Sequence, residues 1–417
     1  MAIQAFYTGI SGIQNSSVGI DVLSNNIANV STVGYRGYTT EFASMFEDAI
    51  ATGTASSSSV GSGVKVQTTS MIRDQGALAL SDRSTDVAIL GEGWFGVLGE
   101  DDPLYTRDGA FTFDSNSDLV TGDGYYVLGT KGNNISDDNV LTQKIDEINL
   151  TDITTQERLR FPKTLTYPPE PSTQAKFLAN LGVAYEPITV GAAVVDPQNN
   201  KNHLRLEFTK NPVQTPPGSQ YSVIATTQSL DGNTIYDTKT GVVEFDASGA
   251  LTANTLTTID NNGATVAIDL GNGYDGITSI DIPVVSGSSI ADGTIGGDLA
   301  GYSVNRNAEI IATFTNGEQS SVGKIAVFHF SNEQGLDRVN GTRFRESSNS
   351  GAARFRQDAN GNNINGTEVV NFRLESSNIE LTHGLTELII LQRSYDANSK
   401  SITTADEMMQ KALNMDA

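Results

Sequence analysis

The stretch that decides the fold is NIELTHGLTELIILQRSYDANSKSITTADEMMQKAL, running from Asn378 to Leu413. Leu381, Leu388, Tyr395, Ile402 and Met409 recur at every seventh position, and Leu385, Gln392, Ser399, Asp406 and Leu413 form a second seven-residue series between them. Two such series, three and four residues apart, are the a and d positions of a helix that packs against another helix. Gln392, Ser399 and Asp406 put polar groups on this seam, so the pattern predicts a specific neighbour and not a generic core. The N-terminus offers one. Phe6, Ile13, Ile20 and Ile27 are also spaced by seven, with Ile3, Ile10, Ser17 and Ser24 as companions. Gly9, Gly12 and Gly19 each weaken that helix by about 1 kcal/mol relative to Ala, so it is expected to form only when packed. A helix pair capping an ordinary domain is the simpler alternative. It leaves Val18, Val22, Val30, Ile389, Ile390 and Leu391 without a partner.

Composition narrows the function. The chain has 417 residues, enough for two to four domains, and 49 acidic against 26 basic residues give a formal net charge of -23. No cluster of Lys and Arg interleaves with aromatics, so nucleic acid and anionic membrane surfaces are poor partners. Zero cysteines exclude a disulfide framework and thiolate metal sites. The opening MAIQAFYTGISGI has neither a basic n-region nor an apolar h-region, and no run approaches the roughly 18 apolar residues that span a bilayer. Export, if it occurs, is expected without a cleavable signal.

Between the two helices the period changes. Ser31 to Gly37 supplies turn residues, Phe42, Met45, Phe46 and Ile50 form a short amphipathic patch, and TGTASSSSVGSG from Thr52 to Gly63 reads as loop or linker. Short apolar runs follow at Val87 to Leu90 and Trp94 to Leu98, then TRDGAFTFD at Thr106 to Asp114. Prolines 162, 168, 169, 171 and 187 mark a change near Gln143. Beyond it HLRLEFT, YSVIATT, GVVEFD, TVAIDL and ITSIDI alternate as strands of a sandwich or barrel. A Gly- and Ser-rich stretch, Ser286 to Gly301, closes that part, and an Asn-Gly turn at Thr315 to Glu318 joins two further strands. The expected fold is mixed and mainly β, nested between terminal helices that pair as a coiled coil: residues 1–32 with 375–417 helical, 33–70 linker, 71–142 with 300–374 an inner β domain, and 143–299 an inserted outer β domain.

No candidate chemistry survives its context. Gly91, Gly93 and Gly96 spell G-x-G-x-x-G after an apolar strand, but Pro103 and the lack of a helical period deny a pyrophosphate its helix N-terminus. Asp114, Asn116 and Asp118 open like a calcium loop, yet Leu119 and Tyr125 stand where Gly and Glu are required, and Asp358, Asn360 and Asn362 fail in the same way. Both read as Asx-rich hairpins. The histidines, at 203, 329 and 383, lack metal-ligand spacing, and no nucleophile motif exists. No catalytic, metal or cofactor residue is expected; a two-carboxylate glycan hydrolase and a secreted β-rich adhesin are the alternatives from other classes.

The residues resemble a known family. SNNIANVSTVGYRG, from Ser24 to Gly37, is similar to the N-terminal signature of bacterial flagellar rod and hook proteins, with Asn26, Asn29, Thr32, Gly34 and Tyr35 as its motif positions. LIILQRSYDANSKSITTADEMMQKAL, from Leu388 to Leu413, resembles their C-terminal signature, and LGEGWFGV, YTRDGAFTFD and SNEQGLDRVNGTRFRES look like their middle module. An inserted β domain of this size points to a hook protein, with a distal rod protein as runner-up. The resemblance implies a homopolymer of many copies forming a flexible, curved extracellular tube that transmits torque from rod to filament. It also implies contacts with the rod, a hook-cap scaffold and hook-filament junction proteins, and export through the flagellar type III apparatus. Phe6, Ile10, Ile13, Ile20, Ile27, Leu381, Leu385, Leu388, Tyr395, Ile402, Met409 and Leu413 are expected to carry assembly through the helical seams.

Overall fold

A computed structural model describes residues 2–44, 63–99, 102–214 and 216–415. The chain opens with α1 (Ala2–Ala28) and ends with α2 (Leu381–Met415), and what lies between is built of strands. The helices pack antiparallel: a Cβ added at Gly9 would meet Ile402, one at Gly19 would meet Leu391, and one at Gly384 would meet Ile27. Neither described helix is long and apolar enough to cross a membrane.

Residues 33–70, expected as a linker, contain β1 (Tyr38–Ser44) and the start of β2 (Val64–Met71). The two strands pair antiparallel and lie along α1, where Asn15 Nδ2 donates to the Val64 carbonyl at 2.7 Å. The expected patch residues Met45, Phe46 and Ile50, and the Thr52 to Gly63 loop up to Ser62, lie outside the described residues.

The inner unit is organised by one sheet. Its strands run in the order Thr166–Tyr167, Gly297–Val304, Glu309–Phe314, Gln319–Ile325, Tyr126–Lys131, Trp94–Leu98, Pro103–Thr106, Arg343–Arg345 and Asp337–Asn340. Successive side chains on a strand point to opposite faces, and here both faces are covered. Phe95 and Val327 join one core with Phe111, Leu159 and Phe314, while Trp94 and Phe328 join another with Tyr105, Phe330 and Phe344. That double burial explains why Trp94 to Leu98 reads as a continuous apolar run.

The inserted unit begins later than the change at Gln143 suggests. Ile148, Leu150, Leu159, Phe161, Leu165 and Tyr167 are all buried in the inner unit, and Gly297–Val304 pairs with Glu309–Phe314 in the inner sheet. The proline-rich segment breaks regular structure without leaving the inner core, so composition marks the wrong edge. The insertion occupies residues 172–293. A five-stranded antiparallel sheet, Ile188–Val195, Lys201–Lys210, Ser219–Ser229, Ile235–Phe245 and Leu251–Asn254, packs on two four-stranded sheets of shorter strands. One core joins them, with Phe177, Leu204, Phe208, Tyr221, Val223 and Ile259 all fully buried. Two extended segments connect it to the inner unit, and there Glu170 and Thr294 exchange backbone hydrogen bonds of 2.9 Å each.

The motifs set aside on sequence grounds are hairpin turns. Asp114 Oδ1 accepts from the Asn116 and Asp118 amides at 2.7 and 2.9 Å, and Asp246 and Asp358 hold their turns in the same way. Gly91 and Gly93, at φ +110° and +124°, turn the chain into Trp94–Leu98. His329 is buried with Nε2 2.6 Å from the Asn365 carbonyl, whereas His203 and His383 are exposed.

Because residues 172–293 own a closed core and leave through a single crossing pair, this segment expressed alone is expected to unfold in one cooperative transition. Chemical denaturation followed by far-ultraviolet circular dichroism checks it; a gradual, non-cooperative loss would show that the inner unit completes the core.

Candidate assembly site: the paired helices and their junction

Between α1 and α2 the contact line is made of small residues. Gly9, Gly12, Ser16, Gly19, Leu23 and Asn26 are buried and spaced three and four apart, which is the geometry of a coiled-coil seam. Opposite them stand Gly384, Leu388, Leu391, Asn398, Ile402 and Ala405; Gly384 and Ala405 are buried and the others half-buried. A Cβ at Gly9 would lie 2.7 Å from Ile402 Cγ1 and one at Gly12 2.5 Å from Asn398 Nδ2. Ser16 Oγ reaches Ser394 Oγ at 3.4 Å. The backbones therefore approach closely, and the glycines that lower helix propensity are what permit it.

Of the large residues expected on the seam, Leu388 and Ile402 stand on this line and the others flank it. Phe6, Ile10, Ile13, Ile20 and Ile27 are half-buried. Leu388, Ile402 and Met409 are half-buried, while Leu381, Leu385 and Tyr395 are 44, 44 and 39% exposed. Gln392 and Asp406 face outward, Ser399 is half-buried, and the Leu413 side chain lies outside the described residues. Both helices are right-handed and they run antiparallel, so stepping off the contact line in one rotational sense leads to the same side of the pair. On one side Ser11, Asn15 and Val22 of α1 and His383 and Glu387 of α2 adjoin β1 and β2. On the other lie Phe6, Ile13, Ile20 and Ile27 of α1, and towards the Ile27 end Leu381, Leu385 and Ile389 of α2, the last 57% exposed. Opposite the hairpin, the N-terminal end of α2 thus presents an exposed apolar patch beside the half-buried stripe of α1.

The N-terminal motif builds the turn that leads away from α1. Asn26 is buried; its Nδ2 donates to the Tyr38 carbonyl at 2.6 Å, and its Oδ1 accepts from the Tyr38 amide at 3.1 Å and the Tyr35 hydroxyl at 3.3 Å. Asn29 Oδ1 accepts from the Thr32 hydroxyl at 3.1 Å. Gly34, at φ +67°, has no room for a side chain, since a Cβ would lie 2.4 Å from the Asp108 amide nitrogen. Its own amide donates to the Glu375 carbonyl at 2.7 Å. Tyr35 is buried, with the Arg338 guanidinium 5.0 Å over its ring.

Here the chain's distant segments converge on one carboxylate. Glu375, ahead of α2, receives Arg36 Nη2 at 3.0 Å and Arg107 Nη1 at 3.2 Å, and all three side chains are 2 to 4% exposed. The Gly76 amide donates to the same carboxylate at 3.1 Å. Arg107 also donates to the Gly91 carbonyl at 2.6 Å and lies 5.5 Å over the Trp94 ring. Burial pulls its guanidinium down to about 10, with Glu375 acting the other way, so it remains charged at neutral pH. Asn378 completes the junction: its Oδ1 accepts from the Gly37 amide at 2.8 Å, and its Nδ2 donates to the Ile72 and Asp74 carbonyls at 3.1 and 2.9 Å. Arg36 and Arg107 sit inside the recognisable stretches, but nothing in the sequence links either to Glu375.

Comparison with known proteins agrees with this architecture segment by segment. Residues 6–36 match the family model "Flagella basal body rod protein", 88–158 match "Flagellar hook protein FlgE/F/G D1 domain", and 371–415 match "Flagellar basal body rod FlgEFG protein C-terminal". The flagellar hook protein FlgE of Escherichia coli is 28% identical over 429 residues, covering 99% of this chain and 100% of its own. The FlgE of Brucella suis is 29% identical with 98% of each chain covered, and that of Borreliella burgdorferi 26% with 99% of each. The crystal structure of Helicobacter pylori flagellar hook protein FlgE2 shares the fold, with a TM-score of 0.52 at 16% identity, over 72% of this chain and 100% of that one.

Two outcomes follow from the geometry. Gly9→Ala gains about 1 kcal/mol of helix propensity but drives a methyl into Ile402, so it is expected to weaken the helix pair; Gly384→Ala, whose Cβ would have 3.4 Å of clearance, is expected to strengthen it. The thermal dissociation midpoints of the assembled variants should move in opposite directions. Glu375→Ala strands two buried guanidinium groups, for a cost of about 3–5 kcal/mol. Trp94 is the chain's single tryptophan, so denaturation followed by its fluorescence reads the loss directly. With rod- and hook-family segments at both ends and in the middle, the chain is similar to bacterial flagellar hook proteins over nearly its whole length.

Proposed function

We propose that this chain is the structural subunit of a bacterial flagellar hook, polymerising in many copies into a curved, flexible tube that passes torque from rod to filament. The observation that carries the reading is the exposed apolar patch on the terminal helix pair. Leu381, Leu385 and Ile389 stay 44 to 57% exposed although they sit beside the contact line, and covering the remaining half of each contributes about 1 kcal/mol. Burial against neighbouring copies supplies that cover. An isolated subunit leaves the patch in water, so the termini are proposed to order fully only on assembly.

The role is structural and not enzymatic; Arg36, Arg107 and Glu375, the charged residues gathered at the junction, are buried and hold segments together. The subunit is proposed to leave the cell through the flagellar type III apparatus, unfolded, and to meet the rod, a hook-cap scaffold and hook-filament junction proteins at the ends of the tube. Bending is assigned to motion of the inserted unit as a body about its two-segment connection at Glu170 and Thr294, while the helix pairs keep a continuous inner wall.

Negative-stain microscopy of the purified chain after polymerisation tests the reading: short curved tubes are expected, and dispersed particles at assembly-competent concentrations would overturn it. Straight rods would favour the rod alternative. Removing residues 172–293 and bridging the gap is expected to leave tubes of altered curvature. Total loss of polymer from that variant would assign the insertion to assembly itself.

A further inference from the structure

The hairpin side of the helix pair holds a cleft of ≈ 300 Å³. Val22 and Leu23 of α1, Phe42 of β1, and Ile72, Ile379 and Leu391 line it, and Phe42 is still 41% exposed. Its rim is acidic: Asp74, Glu380 and Glu387 stand around this apolar floor, and the Glu387 side chain is 48% exposed, with His383 Nδ1 3.9 Å away. A site so built receives an apolar side chain carried beside a cation.

That combination occurs on the outward edge of α2. Ile390 is 62% exposed, and Arg393, Ala397 and Lys400 follow it at three- and four-residue spacing, all exposed. Among the described residues no ion pair involves Arg393 or Lys400. Cations are scarce in a chain of net charge -23, and copies so charged repel one another unless their contacts bring cation to carboxylate. Ile390 lies one turn from Glu387 on the same side of α2, and Arg393 and Lys400 lie further round the helix; a rigid helix cannot fold its own side chains into the cleft it lines, so the occupant is the same edge of another chain.

We propose that the cleft is the docking site for the α2 edge of a second copy, with Ile390 entering the apolar floor and Arg393 meeting Glu387 and its acidic neighbours. This rests on the polymerisation reading and specifies one of its contacts. The contact is heterologous, cleft to edge, and an interface of that kind propagates as an open array when its rotation does not close a ring.

A charge exchange on the full chain tests it, with polymer yield measured by sedimentation and microscopy and Trp94 fluorescence as the control for folding. Glu387→Lys and Arg393→Glu are each expected to lower yield at least about tenfold, a change of about 1.4 kcal/mol in the contact. Mixing the two variants, or combining both changes in one chain, restores it in part. Ile390→Ala lowers yield without altering charge. Normal polymers from both single reversals would overturn the contact while leaving the hook reading intact, as would loss in both singles with no rescue in the mixture or the double variant. Failure of the unaltered chain to polymerise would instead remove the reading on which the contact rests.

Discussion

The arrangement of the whole molecule hangs on a carboxylate buried between two arginines. Arg36 leaves the first helix, Arg107 comes from the inner sheet, and Glu375 precedes the last helix. Taking three charges out of water costs several kcal/mol per ion, and a buried ion pair is a weak source of net stability compared with an apolar replacement. What it supplies here is placement. A guanidinium left without its partner in this site is far more costly than the pair, so the two helices and the sheet can meet only where Glu375 reaches both arginines. The backbone contacts around it, Gly34 to the Glu375 carbonyl and Asn378 to Gly37, Ile72 and Asp74, repeat the same constraint in uncharged form.

With the junction fixed, the helices are held close enough for a choice between two packing lines. Bringing Ile20 and Leu385 into a broad apolar seam would bury more surface within one chain. The line of Gly9, Gly12, Ser16 and Gly19 buries less, at a propensity cost of about 1 kcal/mol for each glycine, and keeps most of the large residues at the margin. For a lone domain that is a poor arrangement. For a subunit whose neighbours must find an apolar face it is a consistent one, because the surface not spent inside the pair remains for contacts between copies.

Much of this was legible. The seven-residue spacing at both termini identified two helices and their mutual fit, and alternation identified the strands of the inserted unit, where Leu204, Leu206 and Phe208 are buried and His203 and Arg205 are not. Which line of each helix meets the other was not legible, because hydrophobicity ranks isoleucine above glycine whereas close approach ranks them the other way. The edge at 143 misled for a related reason: prolines announce an end to regular structure, but Leu159, Phe161 and Leu165 show that irregular chain can still fill a core. Glu375 carried no local signal at all, since its partners lie 268 or more residues away in sequence and a single glutamate has no pattern.

The nested order also distributes stiffness. At the inner end, the terminal helices join the sheet through buried charge, a stacked Arg338 on Tyr35 and a glycine that admits no side chain, so rotation there would break several interactions shielded from water. At the outer end, the inserted unit is tied by the Glu170 and Thr294 backbone pair and by Asn199 Oδ1 accepting from the Gly296 amide at 2.7 Å, a bond exposed to solvent. Exposed hydrogen bonds exchange with water at little net cost, about 0.5–1.5 kcal/mol each, whereas uncovering the inner ion cluster costs several times that. A deforming load therefore finds its least resistance at the outer connection. In the proposed tube this places strain at the connection of the inserted unit and spares the helix pairs that keep the wall closed.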